Sequence, residues 1–384
     1  MPVSGSRIRR IAAATGLSLA LAACAEMPPA LDGAAPAGNG AAIPSPRLRA
    51  GHGKPLVAII GENSGTELSD FLVPFSILSE SGAADVAALS SRPGPVETFT
   101  DLGAPGFRFL AQSTLDAFDA SHPEGADYVV VPAMRETPEA LRWLKRQAEA
   151  GATLVSICNG ALIVADTGLM KDRRATAHWS TESHRLEHHA DIRWVKNARY
   201  VADGNWVSSA GVSAALPLSI ALVEAMAGRA SAASLAARLG LADWSAKHDS
   251  DAFHPRLGVN AWALAEVVYA NRWLHEADAF SLPLSAGLDE AALALTADAY
   301  SSTGRSRAYL VAASPAPLST RHGLTVLPDP PARQAAAAAL PALQVGAAQP
   351  GKALDGALAD IAARYGRSTA FGVAQVFEYP NFKD

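Results

Sequence analysis

Short, uninterrupted apolar runs alternate along this chain with stretches whose apolar positions recur every three to four residues. Residues 55–60 (PLVAII) form such a run, ending at Gly61, as expected of a strand buried on both faces. Over 70–81, Phe71, Leu72, Phe75 and Leu78 fall at helical spacing and predict a helix. Residues 85–89 (DVAAL) and 127–131 (DYVVV) predict a second and a third strand, the latter cut off by Pro132. Thr137-Pro138-Glu139 opens a helix with a capping residue and a first-turn proline; it carries Leu141, Trp143 and Leu144 and ends at Gly151. Residues 152–157 (ATLVSI) predict a fourth strand, followed at once by Cys158-Asn159-Gly160 and a helix over 161–166. A hairpin is predicted for 200–202 and 206–209 around Asp203-Gly204-Asn205, then a long apolar helix over 214–227. Strands alternating with helices specify an α/β fold with a parallel sheet covered on both faces. Ligands of such sheets sit at the carboxyl ends of the strands.

After Gly240 the pattern continues as an α-rich C-terminal extension. It predicts a helix over 262–274 with aromatic anchors, another over 288–300, a strand over 307–313, two short extended pieces at 317–320 and 323–328, and a helix pair over 354–365 and 371–377. The Ala run 335–339 reads as linker or short helix. The order of the first of these elements echoes 70–81, 85–89, 95–99 and 106–110, which suggests a degenerate partial repeat. It holds no second cysteine at a strand-to-helix corner, so thiol chemistry is not expected there.

The N-terminus reads as an address. Arg7, Arg9 and Arg10 precede an uncharged stretch over 11–23, too short for the roughly 20 residues that span a bilayer and of the length of a secretory h-region. It ends Leu21-Ala22-Ala23-Cys24, which resembles a bacterial lipobox; an ordinary signal peptide beside a chance cysteine is the alternative. On the lipobox reading residues 1–23 are a signal peptide, Cys24 carries the lipid, and 24–53, rich in Ala, Pro and Gly, is a flexible tether. The protein would then sit at the periplasmic face of a membrane, the outer membrane being favoured by Ala25 after the cysteine.

Composition narrows the classes further. Of 384 residues 49% are hydrophobic and 18% charged, with a formal net charge of −5, which excludes a disordered chain and gives no basic excess for coating nucleic acid. The two cysteines could make at most one bridge, and a lipidated Cys24 would leave Cys158 without a partner in its own chain.

Cys158 is therefore the residue to explain. It closes a strand and opens a helix, so its sulfur can point out of the sheet toward the free N–H groups of the helix N-terminus, which favour a thiolate. Gly160 keeps the turn free of a Cβ, and the Asn159 N–H could donate to an oxyanion. A buried structural cysteine is the alternative.

Three stretches, in order, resemble the ThiJ/PfpI superfamily, the class I glutamine amidotransferase-like group that includes the amidotransferase-like domain of AraC-type regulators. They are GTELSDFLVP over 65–74, SICNGA over 156–161 and RATAHW over 174–179, with VSSAGVS over 207–213 resembling the segment that leads into the last helix of the family domain. The resemblance covers roughly 54–240. It implies a flavodoxin-like doubly wound sheet sandwiched by helices, with Cys158 as nucleophile, Asp70 as a protonated acid beside the sulfur, and His178 as a proton shuttle or orienting group. Asp70 has a helix cap as its alternative role and His178 a satisfied core histidine; Glu67 has an ion-pair or turn role beside a substrate contact. One departure stands out: where the family commonly has PGG, this chain has Pro132-Ala133-Met134, so Ala133 keeps an N–H for the oxyanion but its Cβ restricts the backbone.

The organisation expected is thus 1–23 signal, 24–53 linker, 54–240 family domain and 241–384 extension. The family implies a small-molecule substrate, 2-oxoaldehyde or isocyanide in type, no metal and no organic cofactor, and a homodimer as an option. A non-catalytic ligand-binding, redox-sensing or regulatory module of the same fold is the competing reading. His184, His188 and His189 read as a solvated helix face with Glu182, Arg185 and Glu187 rather than a metal site, and 247–251 with His254 as a polar loop able to reach a site. No basic recognition helix of a DNA-binding regulator is evident after 240, and export argues against one.

Overall fold

The computed structural model describes residues 42–48, 53–337, 339–345 and 349–383. The expected signal segment 1–23, Cys24 and most of the expected tether 24–53 lie outside the described residues. At the centre is a seven-stranded sheet. Its strands are β1 (Leu56–Gly61), β2 (Asp85–Ser90), β3 (Ser113–Thr114), β4 (Tyr128–Val131), β5 (Thr153–Ser156), β6 (Tyr200–Asp203) and β7 (Trp206–Ser209), in the order β6-β7-β5-β4-β1-β2-β3. All pairs are parallel except the β6–β7 hairpin. β1 and β4 are buried along their whole length, which is why they read as unbroken apolar runs.

Helix α1 (Leu68–Ser81) starts two residues before its apolar periodicity does, because the Glu67 side chain caps it by accepting from the Asp70 N–H at 2.5 Å. Every residue from Leu68 to Leu78 is buried. One side lies against the sheet and the long helix α6 (Ala215–Leu239); another is covered by α7 (Glu290–Ser301) from the C-terminal part of the chain. Ala291, Ala292, Ala294, Ala297 and Ala299 give α7 a surface of small side chains that lets the two helices approach closely. His322 ties them at one end. Its Nδ1 lies 2.7 Å from Glu290 Oε2 and its Nε2 3.1 Å from Glu80 Oε2, so the doubly donating imidazolium bridges α7 and α1.

α7 connects two parallel strands, β8 (Asp278–Pro283) and β9 (Ser306–Val311). The short strands Leu318–Ser319 and Thr325–Leu327 follow, pairing antiparallel with Arg108–Leu110 and Pro95–Val96 in one four-stranded sheet. Strand, helix, strand and two short strands thus recur over 278–327 in the order seen over 56–110. Helices α8 (Ala353–Tyr365) and α9 (Arg367–Val376) end the fold.

The aromatic anchors expected over 262–274 do not anchor. The segment is helical, with a π turn at Glu266–Ala270, but it buries Ala263, Leu264 and Val267 and turns Trp262, Tyr269 and Trp273 outward. The reason is close packing on α9: a Cβ at Gly372 would lie 2.4 Å from the Ala263 carbonyl oxygen, a spacing that leaves no room for rings.

The corner after β5 is equally tight. A Cβ at Gly160 would meet the Val131 carbonyl oxygen at 2.1 Å and Pro132 backbone atoms at 2.8 Å, and no side-chain rotation relieves a backbone clash. Gly160→Ala is therefore expected to destabilise the protein by about 3 kcal/mol, read from urea midpoints. A loss below about 1 kcal/mol would show that the helix can back away from β4.

Candidate active site

Between β5 and helix α4 (Gly160–Asp166), Cys158 adopts φ 53°, a left-handed conformation uncommon for a residue with a side chain and costing on the order of 1–3 kcal/mol. The Asn159 N–H, at the helix N-cap, donates to the sulfur. The corner and its strained cysteine have the geometry of a nucleophile elbow. The side chain is not accessible, however: Cys158 is 1% exposed.

Four carboxyl groups crowd this interior. Asp70, in the first turn of α1, accepts from the Ala133 N–H with Oδ2 at 3.1 Å, while its Oδ1 is buried without a hydrogen-bond partner. Burial raises its pKa to about 7, with the negative field of Asp298 adding to the rise. Glu67 is pushed well above the carboxylate range, by burial first and then by Asp298 and Asp70. Asp101 is raised well above its ordinary value by burial, then by Asp298 and Asp70. Asp298, on α7, is also raised by burial, but accepts from Ser69 Oγ at 2.7 Å, the Asp101 N–H at 3.0 Å and Ser302 Oγ at 3.4 Å. Asp298, with the most donors, is the member best able to hold a negative charge.

The sulfur feels the same field. Burial first, then Asp70, Asp101 and Glu67, push the Cys158 thiol well above its ordinary pKa, and the Asn159 N–H pulls the other way without prevailing. The expected thiolate is thus corrected: at rest Cys158 is a neutral thiol. The helix N-terminus favours the anion, but desolvation beside three carboxyls outweighs it.

Two other expectations also change. The Ala133 N–H is not free for an oxyanion, since Asp70 takes it. His178 is buried, and both of its ring nitrogens are already hydrogen-bonded. Nε2 donates to the Val376 carbonyl oxygen at 2.7 Å, and Nδ1 accepts from the Ser180 hydroxyl at 2.7 Å and the Ser180 N–H at 3.2 Å. Both nitrogens are taken, so no proton or lone pair is left for a shuttle to the sulfur. Burial lowers its pKa and keeps the ring neutral. Asp70 is not the helix cap; Glu67 is, and neither ion pair nor exposed contact describes it.

The pattern missed several residues. Arg185, read as part of a solvated face, is 7% exposed: Nη1 donates to the His178 carbonyl oxygen at 2.5 Å and Thr181 Oγ1 at 2.7 Å, and the guanidinium lies 4.9 Å over Trp194. Burial draws its pKa down to about 10. Glu378, just after α9, is fully buried at φ 53° and turns back into the site, where Oε1 accepts from the Trp179 N–H and Oε2 from His248 Nε2, each at 2.8 Å. The 247–251 loop does reach inward, through His248. Asp298 was findable as an acid inside an otherwise apolar helix (LALTADAY); Glu378 carries no such mark.

A strained cysteine at the carboxyl edge of a doubly wound sheet, beside a carboxyl group with a raised pKa, defines a thiol-centred α/β protein. Residues 56–225 match the DJ-1/PfpI family. An HTH-type transcriptional regulator of Pseudomonas aeruginosa is 32% identical over 92 residues (24% of this chain, 27% of the regulator). A deglycase of Thermococcus kodakarensis is 37% identical over 101 residues (24% and 58%), and an isonitrile hydratase of Pseudomonas putida 29% over 108 (27% and 46%). The chain thus spans less than two thirds of each of these relatives. Among solved structures, Drosophila melanogaster DJ-1beta is similar with a TM-score of 0.43 at 20% identity, covering 50% of this chain and 100% of that one. An AraC family regulator from Pseudomonas putida gives 0.39 at 21%, covering 47% and 97%.

The carboxyl cluster sets a pH dependence. Asp70 has a folded pKa of about 7, raised above its unfolded value, so its stabilising contribution is fully present below the unfolded value near 4 and is lost as pH rises through 7. Asp70→Asn keeps an acceptor for Ala133 and cannot ionise. It is expected to be more stable than the wild type at pH 8, by on the order of a few kcal/mol, with the gap closing toward pH 4. Urea unfolding across that range checks it; a gap independent of pH contradicts the assignment.

Proposed function

We propose that the protein is a lipid-anchored envelope member of the family that uses Cys158 to attack small electrophiles of the 2-oxoaldehyde or isocyanide type. The observation that carries this reading is the strained Cys158 with the Asn159 N–H directed at its sulfur. A fold does not retain such backbone strain at a buried residue without compensation, and strain of this kind clusters at reactive sites. The names of the deglycase and isonitrile hydratase relatives support the electrophile class.

With a neutral thiol, the addition moves one proton. The sulfur–carbon bond forms at the carbonyl carbon as the C=O π bond breaks, the S–H proton leaves, and the carbonyl oxygen gains a proton to give a hemithioacetal. Asp70, with a pKa of about 7 and an unpartnered Oδ1, is suited to take the thiol proton and return one to the oxygen. Asp70 acts here as proton relay in place of His178. The buried sulfur restricts substrates to small molecules admitted by local opening.

A second reading, a non-catalytic ligand-binding or redox-sensing module, is favoured by one specific set of observations: the thiol is held neutral, the Ala133 N–H is spent on Asp70, and His178 is held by Val376. Purified protein offered methylglyoxal and alkyl isocyanides separates the two. The first reading expects turnover that Cys158→Ala abolishes and Asp70→Asn lowers by about 100-fold. Turnover unchanged in Cys158→Ala, or absent with every substrate of these classes, contradicts it. For the anchor, Cys24→Ser is expected to remove palmitate labelling; surviving label contradicts lipidation at that residue.

A further inference from the structure

Of the eight large apolar side chains that stand exposed among the described residues, six fall within 257–274: Leu257 at 86%, Val259 at 58%, Trp262 at 76%, Tyr269 at 58%, Trp273 at 79% and Leu274 at 77%. Scattered exposed apolar residues are ordinary, but such a concentration, with two tryptophans and a tyrosine, marks an interaction surface. The helical phase is consistent: Trp262, Tyr269 and Trp273 are seven and four residues apart, and Ala263, Val267 and Asn271 occupy the inner face.

We propose that this face docks on a lipid bilayer surface. Trp and Tyr join an apolar ring to a polar handle and are favoured at the water–hydrocarbon boundary. Two cations flank the patch for phosphate headgroups. Arg256 and Arg272 are exposed beside it, each with Nη2 donating to a backbone carbonyl oxygen (Ala252 and Leu102), whereas Glu266, which would be repelled, is turned inward, accepting from Ser368 Oγ and Thr369 Oγ1 at 2.5 Å each. Exposed His275, Glu276 and Asp278 follow the patch.

The tether supplies the geometry. Ile43 packs against the core and the Pro44 carbonyl oxygen accepts from Tyr128 Oη at 2.6 Å, so the chain joins the body there. From Cys24 to Ile43 a fully extended chain reaches at most about 65 Å. A body held that close to the membrane needs little intrinsic affinity to lie on it. The proposal rests on the lipid-anchored reading for the presence of the bilayer, and its test is separable from that reading.

The full chain is mixed with phosphatidylethanolamine–phosphatidylglycerol vesicles carrying brominated acyl chains, and tryptophan emission is followed. The fraction quenched is expected to fall by at least half in Trp262→Phe/Trp273→Phe, whose circular dichroism and Tm stay those of the wild type. Equal quenching in both proteins, or none in either, overturns the proposal even where the N-terminus binds the vesicles. A dimer that forms without lipid, depends on Trp262 and Trp273 in light scattering and persists with vesicles present overturns it in favour of a second copy. Loss of palmitate labelling with tryptophan-dependent quenching intact removes the anchor and leaves the docking face.

Discussion

Desolvation is the interaction on which the rest of this site depends. Glu67, Asp70, Asp101, Asp298 and Cys158 are brought into one interior where none of them can ionise at its ordinary pH. Five groups that would each be anionic at high pH cannot all be so in a low-dielectric pocket, so they divide a small amount of charge among them. Asp298 keeps the largest claim because Ser69, the Asp101 N–H and Ser302 donate to it. The thiol, with one backbone donor, has the weakest claim and stays protonated.

This division ties residues 56–225 to the residues after Gly240. Asp298 enters from α7, and Glu378 enters from the turn after α9 to hold the Trp179 N–H and His248. The Val376 carbonyl holds the His178 ring. The C-terminal part of the chain thus covers α1, sets the proton balance of the pocket and fixes the orientation of the histidine. A thiol site read from residues 56–225 by themselves would lack Asp298 and leave His178 Nε2 without the Val376 carbonyl.

The sheet was legible because its central strands are buried on both faces, and such strands must be apolar without interruption, as in PLVAII and YVVV. The elbow was legible because Cys158 and Gly160 stand where β5 must turn, and the Gly160 clash shows that the spacing is a steric requirement. What escaped the pattern depends on distant contacts. Arg185 looks like a surface charge until Trp194 and the His178 carbonyl are seen around it, and Ala133 offers an N–H until Asp70 takes it. The aromatics of 262–274 are expected as anchors, but Ala263, Leu264 and Val267 take the inner face of that helix. Local sequence carries the sign of the thiol's helix-terminus field, but not the three carboxyls that oppose it.

The ionisation of the sulfur tests this account most directly. Thiolate absorbance, followed by pH titration in the wild type and corrected with Cys158→Ala, is predicted to stay flat through neutral pH and to rise only well above the range of an ordinary cysteine. A thiolate already formed at pH 7 would contradict the account, since it would mean that the helix terminus, and not the buried carboxyl cluster, governs the site.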